Sequence, residues 1–158
     1  MPLTGQRQIY LIAMTTADAL AHNTDATPTF SWPVRVYYED TDAGGIVYYA
    51  NYLRFMERAR SEWLRTLGVD HRQLQAQHGL MMVVARTDVS YQRPAVLDDA
   101  LTITVSVRRV RRASLDLQQN VVRGVDELLC HADVRVACID SERHRPRAFP
   151  SPVLGAIR

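Results

Sequence analysis

One amphipathic helical period followed by an unbroken series of strand-like runs constrains this chain more than any other feature. Tyr52, Met56, Ala59, Trp63 and Leu67 recur at intervals of three and four, while Arg54, Glu57, Arg58, Glu62 and Arg65 take the opposite face. That period predicts a helix of about five turns with one strong apolar stripe. Asn51 or the loop before it supplies the cap, and Gly68 stands where a left-handed C-terminal residue belongs. Ahead of the helix, Val34, Val36 and Tyr38 alternate with Pro33, Arg35 and Tyr37 as a half-buried strand does.

Behind the helix lies a polar stretch with room for a second, short helix over Arg72 to His78, and then come the strand-like runs. They are Met82 to Gln92, an alternating run of Leu101, Ile103, Val105 and Val107, then Ser114 to Arg123 and Leu128 to Asp140. Pro146, Pro150 and Pro152 end regular structure. The pattern predicts an α+β domain in which a five-stranded antiparallel sheet wraps one long central helix.

A chain of 158 residues, 47% of them hydrophobic, buries roughly 70% of its unfolded surface without disulfides or a structural metal. Cys130 and Cys138 recur at even spacing in an apolar-alternating run, so they share one side of a strand and belong to the core. Neither sits in a metal-ligand cluster, and no metal site is expected. A net charge of +2 is too weak to announce a nucleic-acid partner, and every basic residue is Arg, which excludes a lysine Schiff base or a P-loop lysine.

Residues 1–30 hold one short apolar run, Ile9 to Met14, that is far below a membrane span. Their Thr, Ala and Asp content without sustained period reads as a mobile extension, with Met14 as an alternative start. Residues 31–158 then form a single domain, and the protein is expected in the cytoplasm.

The chemistry concentrates in Tyr38–Tyr52, YEDTDAGGIVYYANY, which joins strand to helix and gathers three carboxylates, two glycines and several aromatics. A carboxylate beside a helix N-terminus has a use: exposed N–H groups stabilise an oxyanion while the carboxylate attacks a carbonyl or activates water. The same residue types also serve as ordinary turns and caps.

The run DTDAGGIVYYANYLRFMERARSEWL, with RPAVLDDALTI further on, resembles the hotdog-fold acyl-CoA thioesterases of the 4-hydroxybenzoyl-CoA thioesterase type, and among them the Tol-Pal-associated branch. The resemblance runs from about Trp32 to the C-terminus. It implies a hotdog fold and hydrolysis of acyl-CoA thioesters without a cofactor, coenzyme A being part of the substrate. It also implies that the second Asp of the DxD pair, here Asp42, is the catalytic carboxylate, as nucleophile or as general base. Tyr49 takes the position whose backbone N–H, at the first residue of the hotdog helix, polarises the thioester carbonyl. Many Tol-Pal-associated members carry His at that position, whereas the hydroxybenzoyl type carries Tyr.

The run Arg108-Arg109-Val110-Arg111-Arg112 reads by itself as a solvated hairpin end. Guanidinium is nevertheless the preferred bidentate partner of phosphate, and the resemblance assigns Arg111, Arg112 and Ser114 to the phosphates of coenzyme A. It further implies a homodimer or homotetramer with active sites between subunits, and makes an acyl carrier protein a second candidate carrier of the acyl group. A non-catalytic acyl-CoA or acyl-carrier-protein binding module is the alternative reading. A nucleic-acid module lacks an aromatic stacking platform, and a hotdog dehydratase lacks a His on the helix.

Overall fold

The computed structural model describes residues 30–158. The extension read over residues 1–30 and the alternative start at Met14 lie outside the described residues, except for Phe30. That residue opens strand β1 (Phe30–Arg35), two positions before the alternation becomes legible at Trp32.

After β1 the chain makes a 3₁₀ turn at Tyr38–Asp40 and enters helix α1 (Asn51–Thr66). Helix α2 (His71–His78) follows, with the Asp70 carboxylate accepting the Gln73 N–H at 2.9 Å as its N-cap. Then come β2 (Leu80–Tyr91), β3 (Ala100–Val110), β4 (Ser114–Arg123) and β5 (Glu127–Asp140). The five strands form one sheet in the order β1-β3-β4-β5-β2, every pair antiparallel.

The inner face stacks Trp32 opposite Ile103, Val107 opposite Leu117, and Leu117 opposite Val134. Register shifts at Val84/Arg86, Val107/Arg109 and Val121/Val122 are the bulges that bend and twist a sheet around what it covers. Onto that face α1 presses Phe55, Met56, Ala59 and Trp63, none more than 2% exposed. Burying side chains of this size contributes about 1.5–3 kcal/mol each for the large ones. Both cysteines are fully buried in the same core, and burial alone pushes the Cys130 thiol up to about 12.

Two expectations are corrected. The described residues hold three α-helices rather than one long central helix alone: the short helix read near Arg72 to His78 forms as α2, and a C-terminal helix α3 (Ser151–Ile157) also accompanies α1. Helix α3 begins where prolines were read as a stop. Pro152 falls in its first turn, where no N–H is needed and φ is already helical, and Val153 and Ile157 are buried. Of the two caps read for α1, the preceding loop supplies it, at Ala50, and no side chain caps the helix. Asn51, a good capping residue by type, turns inward and donates Nδ2 to the Asp40 carbonyl at 3.1 Å. Gly68 does take the left-handed conformation, with φ 74°.

Candidate active site

The loop from Tyr37 to Ala50 is held by its own backbone and by the turn before β3. Thr41 bridges Val47, and the Asp42 N–H donates to the Ile46 carbonyl at 2.9 Å. Tyr48 N–H reaches the Asp40 carbonyl at 2.8 Å, and Gly45 N–H the Asp42 carbonyl at 2.9 Å, with Gly45 at φ 74°. Across the loop, Ile46 bridges Val96, Val47 N–H donates to Ala95, and Val36 exchanges hydrogen bonds with Asp98 and Asp99.

The two carboxylates of the DxD pair are placed differently. Asp40 is 6% exposed; its Oδ2 accepts the Tyr37 N–H at 2.9 Å, and its carbonyl accepts both Tyr48 and Asn51. It is the internal brace of the loop. Asp42 is half-buried and spends only one oxygen, Oδ1, on the Gly44 N–H at 2.7 Å. A Cβ on Gly44 would stand 3.0 Å from that oxygen, so any side chain there would make the carboxylate give way by a few tenths of an ångström.

The start of α1 is electropositive and open. Its first turn carries no acidic residue, its cap offers no side-chain acceptor, and the N–H groups of Tyr49 and Ala50 have no protein acceptor among the described residues. Unsatisfied N–H groups at a helix start carry the positive end of the macrodipole. Tyr49 was expected as the first helical residue. It lies instead in the turn two positions ahead of Asn51, although the cap residue Ala50 already has helical dihedrals.

Aromatic side chains fix this turn. The Tyr91 hydroxyl, from the end of β2, donates to the Tyr49 carbonyl at 3.0 Å, and the Tyr91 ring meets those of Tyr49 and Tyr52 edge-on. The Tyr52 hydroxyl accepts the Ala95 N–H at 2.9 Å, tying α1 to the turn that faces the loop. Neither tyrosine was singled out in the sequence, where Tyr91 reads as strand and Tyr52 as helix stripe. Their alternation reports burial and is silent on the hydroxyl.

A charged clamp holds the same end of the sheet. Arg123 reaches Glu127 and Asp99, each at 2.8 Å, and Asp99 Oδ2 also accepts the Val96 N–H at 2.9 Å. Hydrogen bonds from Arg123, joined by Arg93, hold the Glu127 carboxyl down at about 2.

The arginine run divides between strand and turn. Arg108 and Arg109 belong to β3, while Arg111 and Arg112 form the turn to Ser114 at the start of β4. Arg111 pairs with Asp116 at 2.6 Å, an acid it shares with Arg135 at 2.7 Å. Arg112 is exposed and carries no ion pair among the described residues, and its carbonyl accepts the Phe149 N–H at 2.9 Å. Arg111, Arg112 and Ser114 therefore sit together, but not with Asp42. The Asp42 loop is pinned to residues 95–99, just before β3, and Arg111 follows its last residue, so the two groups stand about 30 Å apart along the strand. Among the described residues, no three His, Cys, Asp or Glu side chains converge in a way that would hold a metal ion.

The sequence profile of the thioesterase-like superfamily matches residues 36–157, which takes in the Asp42 loop, α1 and the arginine turn. The chain belongs to this superfamily. Thioesterase-like relatives align over most of its length. It is 43% identical to the acyl-CoA thioester hydrolase YbgC of Escherichia coli O6:H1, over 84% of this chain and 98% of that protein. It is 46% identical to the acyl-CoA thioesterase YbgC of Haemophilus influenzae, over 81% of this chain and 93% of that one. The crystal structure of a probable thioesterase from Bartonella henselae superposes with a TM-score of 0.71 at 37% identity, covering 76% of this chain and 98% of that chain. The resemblance read from the loop and helix motif is thus borne out at the level of family.

Proposed function

We propose that this protein hydrolyses acyl-CoA thioesters to a carboxylate and free coenzyme A, in the cytoplasm, with Asp42 as the catalytic carboxylate. The observation that carries the reading is the pairing, in one braced loop, of a half-buried carboxylate that spends one oxygen on the Gly44 N–H with a turn into the helix where the Tyr49 and Ala50 N–H groups have no protein acceptor among the described residues. Names of relatives at 43% and 46% identity point the same way. A thioester is electrophilic enough that one aligned carboxylate and fixed backbone dipoles suffice, so no metal or cofactor enters the scheme.

In this scheme the thioester carbonyl oxygen points at the Tyr49 N–H, in a turn that the Tyr91 hydroxyl braces through the Tyr49 carbonyl. Asp42 either attacks the carbonyl carbon, forming a mixed anhydride that water opens, or takes a proton from the attacking water. In both routes the thiolate of coenzyme A leaves and is protonated, and the carbonyl oxygen's transient charge rests on backbone N–H groups.

The separation of Asp42 from Arg111, Arg112 and Ser114 supports an active site shared between copies, in a homodimer or homotetramer. The arginine turn of a second copy then holds the coenzyme A phosphates beside the Asp42 loop of the first. Dimerisation would also cover an edge strand, since β1 and β2 each pair on one side only among the described strands. Acyl carrier protein is the second candidate acyl carrier.

The experiment is a panel of acyl-CoA and acyl-carrier-protein thioesters read by released thiol, with binding of coenzyme A measured in parallel. Thiol release with at least one acyl group is the expected result. Tight binding without release from any thioester would favour the non-catalytic acyl-carrier reading instead.

A further inference from the structure

Along β5 the side chains alternate: Val134 and Val136 are buried in the core, while Asp133 and Arg135 are exposed on the opposite, outer face of the sheet. The strand register lays two charged rows across that face. In one row Asp116 of β4 stands opposite Arg135 of β5, and Arg135 opposite Arg86 of β2. In the next, Gln118 stands opposite Asp133, and Asp133 opposite Asp88. Arg86, Asp88, Arg108, Asp116, Asp133 and Arg135 all line one cavity of about 320 Å³.

Residues directly opposite each other across a ladder have Cβ atoms about 4.5–5.5 Å apart, against about 6.6 Å for residues two along one strand. Between β2 and β5 the nearest neighbours are therefore like charges, Arg86 with Arg135 and Asp88 with Asp133. Like charges directly opposite destabilise a sheet. Compensation within the chain is partial. Arg135 has Asp116 at 2.7 Å, but Asp116 also serves Arg111. Arg86 reaches Asp88 only at 4.0 Å, with the two side chains 72% and 68% exposed. The ion-pair partner of Asp133 among the described residues is His131 Nε2 at 3.6 Å, which is charged only when protonated.

A second copy supplies the missing opposite charges. When two sheets pack face to face, a twofold axis relating them lies in the plane between them. Run across the strands, between the two rows, such an axis turns the second copy end for end and sets each arginine row over the other copy's aspartate row. Arg86 of each copy then meets Asp88 of the other, and Arg135 meets Asp133. An axis along the strands would set arginine on arginine, so the pattern selects one arrangement. The row beyond, Ser90, His131 and Asn120, is uncharged apart from the imidazole and short enough for the faces to approach the usual sheet spacing of about 10 Å. We propose that this outer face docks a second copy of the chain through its two charged rows. The contact leaves the free edges of β1 and β2 available, so together with edge pairing it builds a tetramer, and it lies away from the Asp42 loop.

The test is sedimentation equilibrium of the full chain, wild type against two single charge reversals, Asp88→Arg and Arg86→Glu. Each reversal sets like charges against each other at two symmetry-related places in the contact. Each should raise its dissociation constant on the order of a hundredfold, which halves the mass at micromolar protein. Within one copy each reversal also relieves a like-charge pair, so neither should impair folding. Mixed in equal amounts, the two variants should regain the wild-type mass, because the acids of one copy then face the arginines of the other. A wild-type mass equal to that of both variants overturns the inference, as does a halved mass that mixing fails to restore. Should one variant not fold, an unchanged mass in the other overturns it equally.

Discussion

Replacing Gly44 by alanine separates the placement of the Asp42 carboxylate from the stability of its loop. The Gly44 N–H holds Asp42 Oδ1 at 2.7 Å, and the new Cβ would meet that oxygen at 3.0 Å. Gly44 is not among the residues with positive φ, so alanine brings no backbone strain. It should even stabilise slightly, by about 0.4–1 kcal/mol, through a less free unfolded chain. The carboxylate has to retreat by a few tenths of an ångström. Since a misplacement of about 1 Å costs on the order of a hundredfold, this shift should lower kcat about fivefold. Gly45→Ala is the mirror case: nothing lies within 4 Å of its Cβ, but φ is 74°. It should cost about 1 kcal/mol of stability and leave the carboxylate where it is. Thiol release and urea unfolding, run on both variants, read the two effects separately. If Gly44→Ala kept kcat within twofold of wild type, or lost as much stability as Gly45→Ala, the position of Asp42 would not matter in the way argued.

Arg112→Ala, and more so Arg111→Ala with Arg112→Ala, should raise KM for CoA thioesters while kcat holds, because phosphate contacts remote from the thioester are equal in ground and transition states. Arg112 should dominate, since Arg111 is already engaged by Asp116; an unchanged KM in the double variant would detach the arginine turn from the substrate. Tyr49→Phe should be nearly silent and Tyr49→Pro should cost roughly 3 kcal/mol in kcat, because only proline removes the N–H. A large loss in the Phe variant would move the role to the phenol. Glu127 has its pKa depressed in the folded state to about 2, so its contribution to stability is present above the unfolded value and fades as pH falls. The stability gap between wild type and Glu127→Gln in urea should therefore close between about pH 4.3 and about pH 2. A gap independent of pH over that range would show that the Glu127 charge contributes nothing to stability through the clamp.

What the sequence disclosed depended on whether local chemistry or tertiary partners decided each position. The strand pattern and α1 were legible because one apolar face repeats over many residues, and Gly68 was legible because few other residues take its conformation. The cap of α1 stayed open between Asn51 and the preceding loop because the Asn51 side chain suits a cap in isolation; in the fold it finds the Asp40 carbonyl instead. Helix α3 was missed because proline stops a helix from within yet suits its first turn. Arg108 and Arg109 read as a hairpin end, but the β4 strand opposite them extends β3 through the charges to Val110. In the candidate site, the Asp42 loop announced itself through its clustered carboxylates and glycines. The hydroxyls of Tyr52 and Tyr91, which set the backbone of the loop and the helix start, did not, since nothing in the periodicity distinguishes a tyrosine that bonds from one that only packs.

Asp42→Asn tests the central claim most directly. The amide keeps the volume of the carboxylate and an oxygen for the Gly44 N–H, so the loop should persist, but it neither attacks a thioester efficiently nor accepts a proton from water. With the best acyl-CoA of the panel, kcat should fall by about a hundredfold or more while coenzyme A binding and urea stability stay near wild type. A folded Asp42→Asn protein that hydrolyses its best acyl-CoA at near-wild-type kcat would contradict the account.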